Sequence, residues 1–430
     1  MNLDNVSGIS LTSIYSKICG FYLFSIICLN PYGIKIAGDN SIRFGDILIT
    51  ILVALTFLML IINKKIHKKS KILIIILPFV LLEIVYPIIG YINYSIGSPL
   101  SSIKVLLMYI PIVTIILIYT EEKKELLFDI IEKALKLSLL IQLLFSTIQI
   151  LVVFNYLPRV FLIQEHLSIF AVDGQYKYID GVRASGLTNN GIELSLVGTV
   201  GFSYFASRIF KEQSKSNFLY LTVSVILVLL STTRAAVLAI VLIGVINFII
   251  ISIPLIKKIK IFIGGLIVIS LILFFIKFTI GLDTLFYRFI RIGEGGLEND
   301  FSFNYRSEVL WPSVINTLKD YPLGTLVQPF HIVGLIDSGY LSYYAQGKIL
   351  FILALFILLI GCLIISIVQF KNKVNQWNSV FLINLIIYIL ISMYFYNTLR
   401  SPLIIFSFLF SLSNFNFIKE NKIPLSQKNI

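Results

Sequence analysis

The chain has 430 residues, of which 57% are hydrophobic and only 13% charged, and its mean hydropathy is +0.93. A soluble domain carries about 25% charged residues, so the composition excludes a soluble globular protein and points to a polytopic helical membrane protein. The formal net charge of +13 does not indicate a nucleic-acid partner, because the lysines cluster in short loops between apolar runs, the pattern of cytoplasmic loops.

A helix needs about 20 apolar residues to cross the hydrocarbon core. Runs of that kind lie near 13–30, 45–62, 72–90, 104–119, 137–157, 189–207, 218–233, 235–255, 261–278, 346–369, 378–396 and 402–417. The expected fold is all-α: a single integral membrane domain over 1–430 with about twelve transmembrane helices. Two of the runs, 104–119 and 402–417, are short and carry Pro111 and Pro402. Asn30-Pro31-Tyr32 follows the first run where a cleavable signal would have small residues. Cys19, Cys28 and Cys362 sit in apolar runs and suggest neither a disulfide framework nor a metal site.

Orientation follows from Lys and Arg. With both termini cytoplasmic, the inside segments are Asn63–Lys71, Thr120–Lys136, Arg208–Asn217, Lys257–Lys260 and Lys371–Lys373, together with Lys17 and the tail. These hold 21 of the 35 Lys and Arg in short loops, where the positive-inside rule applies. The reverse orientation would put the lysine clusters outside. Two outer segments are too long for simple connectors, 158–188 and 279–345, the second between helices 9 and 10; loops of that length are uncommon and often functional. An amphipathic helix is expected around Glu308–Leu318, beside Trp311. No internal repeat relates the two halves, which disfavours an inverted-repeat transporter.

Arginine is scarce, 9 against 26 lysines, and one-sided. Arg43, Arg159, Arg183, Arg234, Arg288, Arg291, Arg306 and Arg400 fall outside; only Arg208 falls inside. Guanidinium binds phosphate oxygens through a planar fork, whereas lysine is a hydrated point charge. Either these arginines are scattered surface residues, a reading that suits Arg43, Arg159 and Arg291 equally well, or several converge on a phosphate. The loop 279–345 is net acidic, with seven acids and four bases, so it is not a generic basic patch. Arg234, in Ser231-Thr-Thr-Arg-Ala-Ala, is the only charge between Lys215 and Lys257. A charge in such a stretch is a functional candidate by default; the competing reading is an arginine snorkelling at a tight turn. Glu193 and Glu83 are carboxylates in apolar surroundings, where hydrogen bonding within the bundle is the alternative to chemistry. His331 and Asp337 lie late in the long loop.

The order of motifs resembles a known family. Asp180-Gly-Val-Arg183-Ala-Ser-Gly186-Leu-Thr-Asn189-Asn190 opens a helix, and the Ser-Thr-Thr-Arg234-Ala-Ala turn follows. The long loop then reads Arg306, Trp311 and Asp320-Tyr-Pro322-Leu-Gly324-Thr, and closes with Asp337-Ser-Gly-Tyr340-Leu and a Gly347-containing helix start. Over about 180–370 this is similar to the Wzy-type O-antigen polymerases and the O-antigen ligase-like membrane glycosyltransferases. The resemblance implies transfer of glycan from an undecaprenyl-pyrophosphate carrier at the outer face of the bacterial cytoplasmic membrane. Arg183, Arg234 and Arg306 would hold the pyrophosphate, with Arg288 as a further candidate; Asn189 and Tyr340 are candidates for substrate contact. The implied partners are the lipid-linked oligosaccharide, the bilayer and a chain-length regulator protein, with no cofactor.

The family's ligase branch has a histidine followed by Asn near the end of the long loop. Here that place reads Asp337-Ser338 and His331 lies six residues earlier, out of register, which favours polymerase over ligase. Clustered arginines can stabilise a departing pyrophosphate electrostatically, and no Asp-x-Asp motif is present, so metal-independent chemistry is expected. Attack by a sugar hydroxyl benefits from a general base; Asp337, His331 and Glu193 are the candidates. A single displacement would invert the anomeric centre. Tyr176, Tyr178, Tyr305, Tyr340, Tyr343 and Tyr344 could stack on sugars or form the interfacial aromatic belt. A flippase for the same lipid is the non-enzymatic alternative, disfavoured by the scarcity of arginine in the inner half.

Overall fold

The computed structural model describes residues 11–29, 33–37, 40–62, 70–94, 107–111, 114–115, 119, 121–153, 156–158, 184–250, 256, 270, 301–327, 329–334, 336–373 and 375–413. Among these the chain is mostly helical. In order, the first seven helices are α1 (Leu11–Cys28), α2 (Phe44–Ile62), α3 (Ser70–Tyr94), α4 (Glu121–Val153), α5 (Gly191–Lys211), α6 (Lys215–Ser231) and α7 (Arg234–Ile250). Then come α8 (Phe301–Asn304), a π-helical stretch Tyr305–Leu310, α9 (Trp311–Thr317), a 3-10 turn Leu318–Asp320 and α10 (Phe330–Val333). The chain continues through α11 (Gly339–Lys371), α12 (Gln376–Ser392), a 3-10 turn Thr398–Arg400 and α13 (Pro402–Ser413). Five helices among the described residues, α1 to α4 and α11, are long and apolar enough to cross a membrane; α6, α7, α12 and α13 are shorter apolar helices.

Most of the apolar runs fall on these helices. Apart from residue 270, the run near 261–278 lies outside the described residues, and of 104–119 only 107–111 and 114–115 are seen as helix. The helix expected around Glu308–Leu318 is present as the continuous helical path from Tyr305 to Asp320. Helix α4 begins at Glu121, well before the apolar run near 137. Its first half is rich in Glu, Lys and Leu, strong helix formers, and buries Leu127, Ile131 and Leu135 at four-residue spacing. One departure from an all-α fold is a hairpin, β1 (Gly33–Ala37) antiparallel to β2 (Asn40–Arg43), with Ile34 opposite Ile42 and an irregularity between Lys35 and Ala37. The Gly38-Asp39 dipeptide between two short alternating runs was the available signal for it.

Helices α5, α6, α7 and α12 surround a shared interior. A Cβ on Gly198 would stand 3.0 Å from the Ser224 carbonyl and 2.8 Å from a Val228 methyl, so glycine lets α5 and α6 approach closely, as small residues do between membrane helices. Side-chain contacts fix α5 antiparallel to α12. Arg208 stacks on Trp377, with 5.1 Å to the ring centroid; Asn384 Nδ2 donates to the Ser203 carbonyl at 3.3 Å; Tyr388 lies beside Ser195 and Thr199. The bundle therefore has two distinct ends. At one, Glu132 of α4 joins Lys136 (2.7 Å), Arg208 (2.9 Å) and the Tyr204 hydroxyl (3.0 Å). At the other lie the starts of α5, α7 and α11 and the turn after α12.

Candidate functional site

The end of the bundle opposite Arg208 is built from two tightly held turns and a broken helix. The first turn, 184–190, is bound by two buried glutamines seven residues apart on one face of α4. Gln149 accepts from the Ser185 and Gly186 amides at 2.9 and 2.8 Å and donates to the Gly186 carbonyl at 2.9 Å. Gln142 accepts from the Leu187 amide at 2.8 Å and donates to the Ile27 carbonyl of α1 at 2.7 Å. Gly186 has φ +59°, and a Cβ there would lie 2.1 Å from Gln142 Oε1, so the turn requires glycine.

This turn delivers α5 with a reciprocal cap. Asn190 Oδ1 accepts from the Glu193 amide at 3.0 Å, while the Glu193 carboxylate accepts from the Asn189 amide at 3.1 Å and from Asn189 Nδ2 at 2.7 Å. It is a variant of the capping box, with the acid on the positive end of the helix. Glu193 and Asn189, candidates for base and substrate contact, are thus partnered with each other. Arg183 lies outside the described residues; Ala184, next in the chain, donates its amide to the Leu230 carbonyl at 3.0 Å. The two arginine motifs, far apart in sequence, therefore meet.

The second turn carries Arg234, the first residue of α7. Thr233 Oγ1 donates to the Gly191 carbonyl at 3.3 Å, tying this turn to the start of α5. Thr232 is left-handed, φ 49° and ψ 29°, which is unusual for a β-branched residue, and its buried hydroxyl lacks a hydrogen-bond partner. Strain of this kind costs about 1–3 kcal/mol and gathers at functional sites. An arginine at a helix N-terminus also opposes the helix dipole. An anion at this helix end would offset the second of these, since the guanidinium and the positive end of the helix would then share it.

The broken helix is α11. Gly347 (φ −149°, ψ 27°) and Lys348 (φ 51°, ψ −142°) interrupt it, so the helical start expected near 346 is in fact a second segment behind a short first one. The break frees the Ala345 and Gln346 carbonyls, which accept from the Thr325 and Leu326 amides at 2.8 and 2.9 Å. Gly324, φ +86°, is required for that approach: a Cβ would lie 2.6 Å from the Gln346 oxygen. Non-helical backbone is tolerated at membrane depth only when other protein groups satisfy it in this way. Lys348 Nζ donates to the Leu318 carbonyl at 2.8 Å, and Trp311 meets Tyr394 edge-on with centroids 5.4 Å apart. The described stretch 311–326 of the long loop is thereby packed down onto the break.

Arg306 and Asp337 form an ion pair, Nε to Oδ2 at 2.7 Å, with side chains 24% and 28% exposed. One candidate base is thus committed to one candidate pyrophosphate ligand. At that exposure the pair is worth about 1 kcal/mol; a double-mutant cycle of Arg306→Ala and Asp337→Ala on thermal unfolding should return that coupling, and strict additivity would show the contact to be incidental. Arg288 lies outside the described residues. For His331 only the backbone is described, in α10. Tyr340 donates its hydroxyl to the Leu390 carbonyl at 2.8 Å and stacks on Phe356, a packing role within the bundle.

A further set of groups gathers at the break. Arg400 donates to Gln346 Oε1 and lies over the Tyr343 ring, 5.4 Å to its centroid. Glu83 of α3, only 6% exposed, sits beside Arg400, Tyr343 and Tyr109. Asn397 Nδ2 donates to Ser342 Oγ at 3.3 Å. The sequence drew attention to Glu83 and Arg400 separately; nothing in it joins residues 83, 343 and 400. Of the described arginines other than Arg43, Arg234, Arg306 and Arg400 share this end of the bundle and Arg208 lies at the other. Compared with known proteins, the chain matches no protein-family model and no curated protein.

Proposed function

We propose that the protein is a membrane glycosyltransferase that polymerises undecaprenyl-pyrophosphate-linked oligosaccharide repeat units at the outer face of a bacterial cytoplasmic membrane. The observation that carries this reading is the Ser231–Arg234 turn: a guanidinium on the positive end of α7, behind a strained threonine, on the same end of the bundle as Arg306 and Arg400. That is a setting for a doubly charged leaving group. Arg234 and Arg306, with Arg183 and Arg288 added from the sequence, stabilise the pyrophosphate as the glycosidic bond breaks, and the packed-down loop shields the site from water. The twelve-helix topology and the outward-facing site belong to the same proposal.

The test is twofold. Surface glycan from a deletion strain, resolved by repeat number, should show single repeat units on the lipid carrier. Long lipid-linked polymer would instead identify a ligase. Purified protein in proteoliposomes, given lipid-linked repeats at the outer face alone, should form polymer, which a flippase cannot do. Failure to form polymer there, with an unaltered glycan in the deletion strain, removes the proposal.

A further inference from the structure

Groups at the break in α11 that the pyrophosphate clamp does not use have the character of a saccharide site. Ser338, the N-cap of α11, and Ser342 and Gln346 within it recur at four-residue spacing, and all three meet the segment 393–400. Ser338 Oγ donates to the Met393 carbonyl at 3.4 Å, Asn397 binds Ser342, and Arg400 binds Gln346. Gln346 is fully buried, yet its Nε2 has no partner; one turn away the buried Asn397 Oδ1 has none either. Buried polar groups are nearly always paired, so each exception calls for a ligand or water. Here one free donor and one free acceptor lie on the same contact between α11 and the segment 393–400, where hydroxyls of a sugar ring would answer both. Tyr343 and Tyr109 flank Glu83, which supplies a carboxylate.

We infer that this cluster is the subsite for the acceptor sugar, with Glu83 as the group that takes the proton from its attacking hydroxyl. The inference rests on the polymerase reading for its chemistry. Asp337 is held by Arg306 and Glu193 by the α5 cap, both away from the break, whereas Glu83 accepts from Tyr343 and faces Arg400, groups that belong to the cluster at the break itself. In the step, the acceptor oxygen forms a bond to the anomeric carbon of the donor. The bond from that carbon to the pyrophosphate oxygen breaks, its electron pair leaving with the lipid pyrophosphate. The acceptor proton passes to the Glu83 carboxylate and then to water. Arg400 and Gln346 position the sugar; Glu83 is the catalytic residue.

The probe is the free oligosaccharide released by mild acid from lipid-linked repeats of a deletion strain. Its binding is measured by titration calorimetry on the whole protein in lipid nanodiscs, with farnesyl pyrophosphate as a separate probe of the clamp. Glu83→Gln, nearly isosteric, should bind both probes within about three-fold of wild type yet transfer at least 100-fold more slowly, the usual worth of a general base. Folded Gln346→Leu should bind the oligosaccharide at least ten-fold more weakly and farnesyl pyrophosphate unchanged. If Gln346→Leu does not fold, Asn397→Ser tests the same loss at the less buried partner. Wild-type transfer by Glu83→Gln, or wild-type saccharide binding by the folded Gln346 or Asn397 variant, overturns the inference and leaves the polymerase reading standing. A wild-type protein that binds the oligosaccharide through Gln346 but transfers nothing supports the saccharide site and sinks the polymerase reading.

Discussion

Replacing Arg234 by Ala is expected to abolish polymer while leaving single repeat units on the lipid carrier. Removing one donor from a site that stabilises developing charge costs about 10²–10³ in rate, or roughly 2.7–4 kcal/mol. Loss of a protein's fold would give the same phenotype, but the position of Arg234 separates the two. It is the first residue of α7, where a positive charge opposes the helix dipole by about 0.3–1 kcal/mol. Arg234→Ala should therefore still elute as a monodisperse, cooperatively unfolding protein in detergent, even as activity disappears. Arg234→Lys keeps the charge but loses the planar fork, so its polymer should be intermediate in amount. Wild-type polymer length from a stably inserted Arg234→Ala protein would remove this residue from the site.

Gly186→Val should yield no folded protein. The residue is left-handed, φ +59°, which costs a side chain roughly 1–2 kcal/mol. The larger effect is steric: the new Cβ would occupy the place of Gln142 Oε1, 2.1 Å away. Displacing Gln142 strands the Leu187 amide and the Ile27 carbonyl, at about 1–3 kcal/mol for each buried group. The sum approaches the whole stability of a domain, about 5–15 kcal/mol. Size-exclusion chromatography of tagged protein in mild detergent should show aggregate or nothing. A monodisperse Gly186→Val peak with a wild-type unfolding midpoint would show that the 184–190 turn does not depend on the α4 glutamines. Because Ala184 is bonded to Leu230, the same substitution unseats both arginine motifs.

These two predictions draw on different kinds of information. Arg234 is conspicuous in a row of letters, as a charge with more than fifteen uncharged neighbours on either side. Gly186 is not. Its importance lies in Gln142 and Gln149, neutral residues in a helix whose hydropathy they barely change. A polar pair seven residues apart on one face of an apolar helix was the only hint. The same holds for the break in α11. Gly347-Lys348 placed a helix boundary, but the short segment before it could not be told from loop. Its carbonyls are satisfied by Thr325 and Leu326, some twenty residues away, and no local rule anticipates such a partner.

Asp337 and Glu193 show the converse. Residue type and position made both of them candidate bases. The folded chain gives one to Arg306 and the other to Asn189, because a carboxylate removed from water must be paired or hydrogen-bonded, and these were the nearest partners. Glu83 obeys the same rule with a different outcome, since its neighbours belong to the break in α11 and to the 393–400 turn.

Composition and hydropathy were enough to establish the helical class and the position of most apolar helices among the described residues. Those properties depend on apolar area and charge summed over stretches of about 20 residues, and such sums do not need a third dimension. Tertiary structure decided which polar side chains meet. It brought the turn after residue 184 to the turn before 234, set Arg306 on Asp337, and gathered Glu83, Tyr343, Gln346 and Arg400 from three elements at one end of the bundle. Hydrogen bonds and ion pairs reach only a few ångströms, so their partners exist only once the helices have packed.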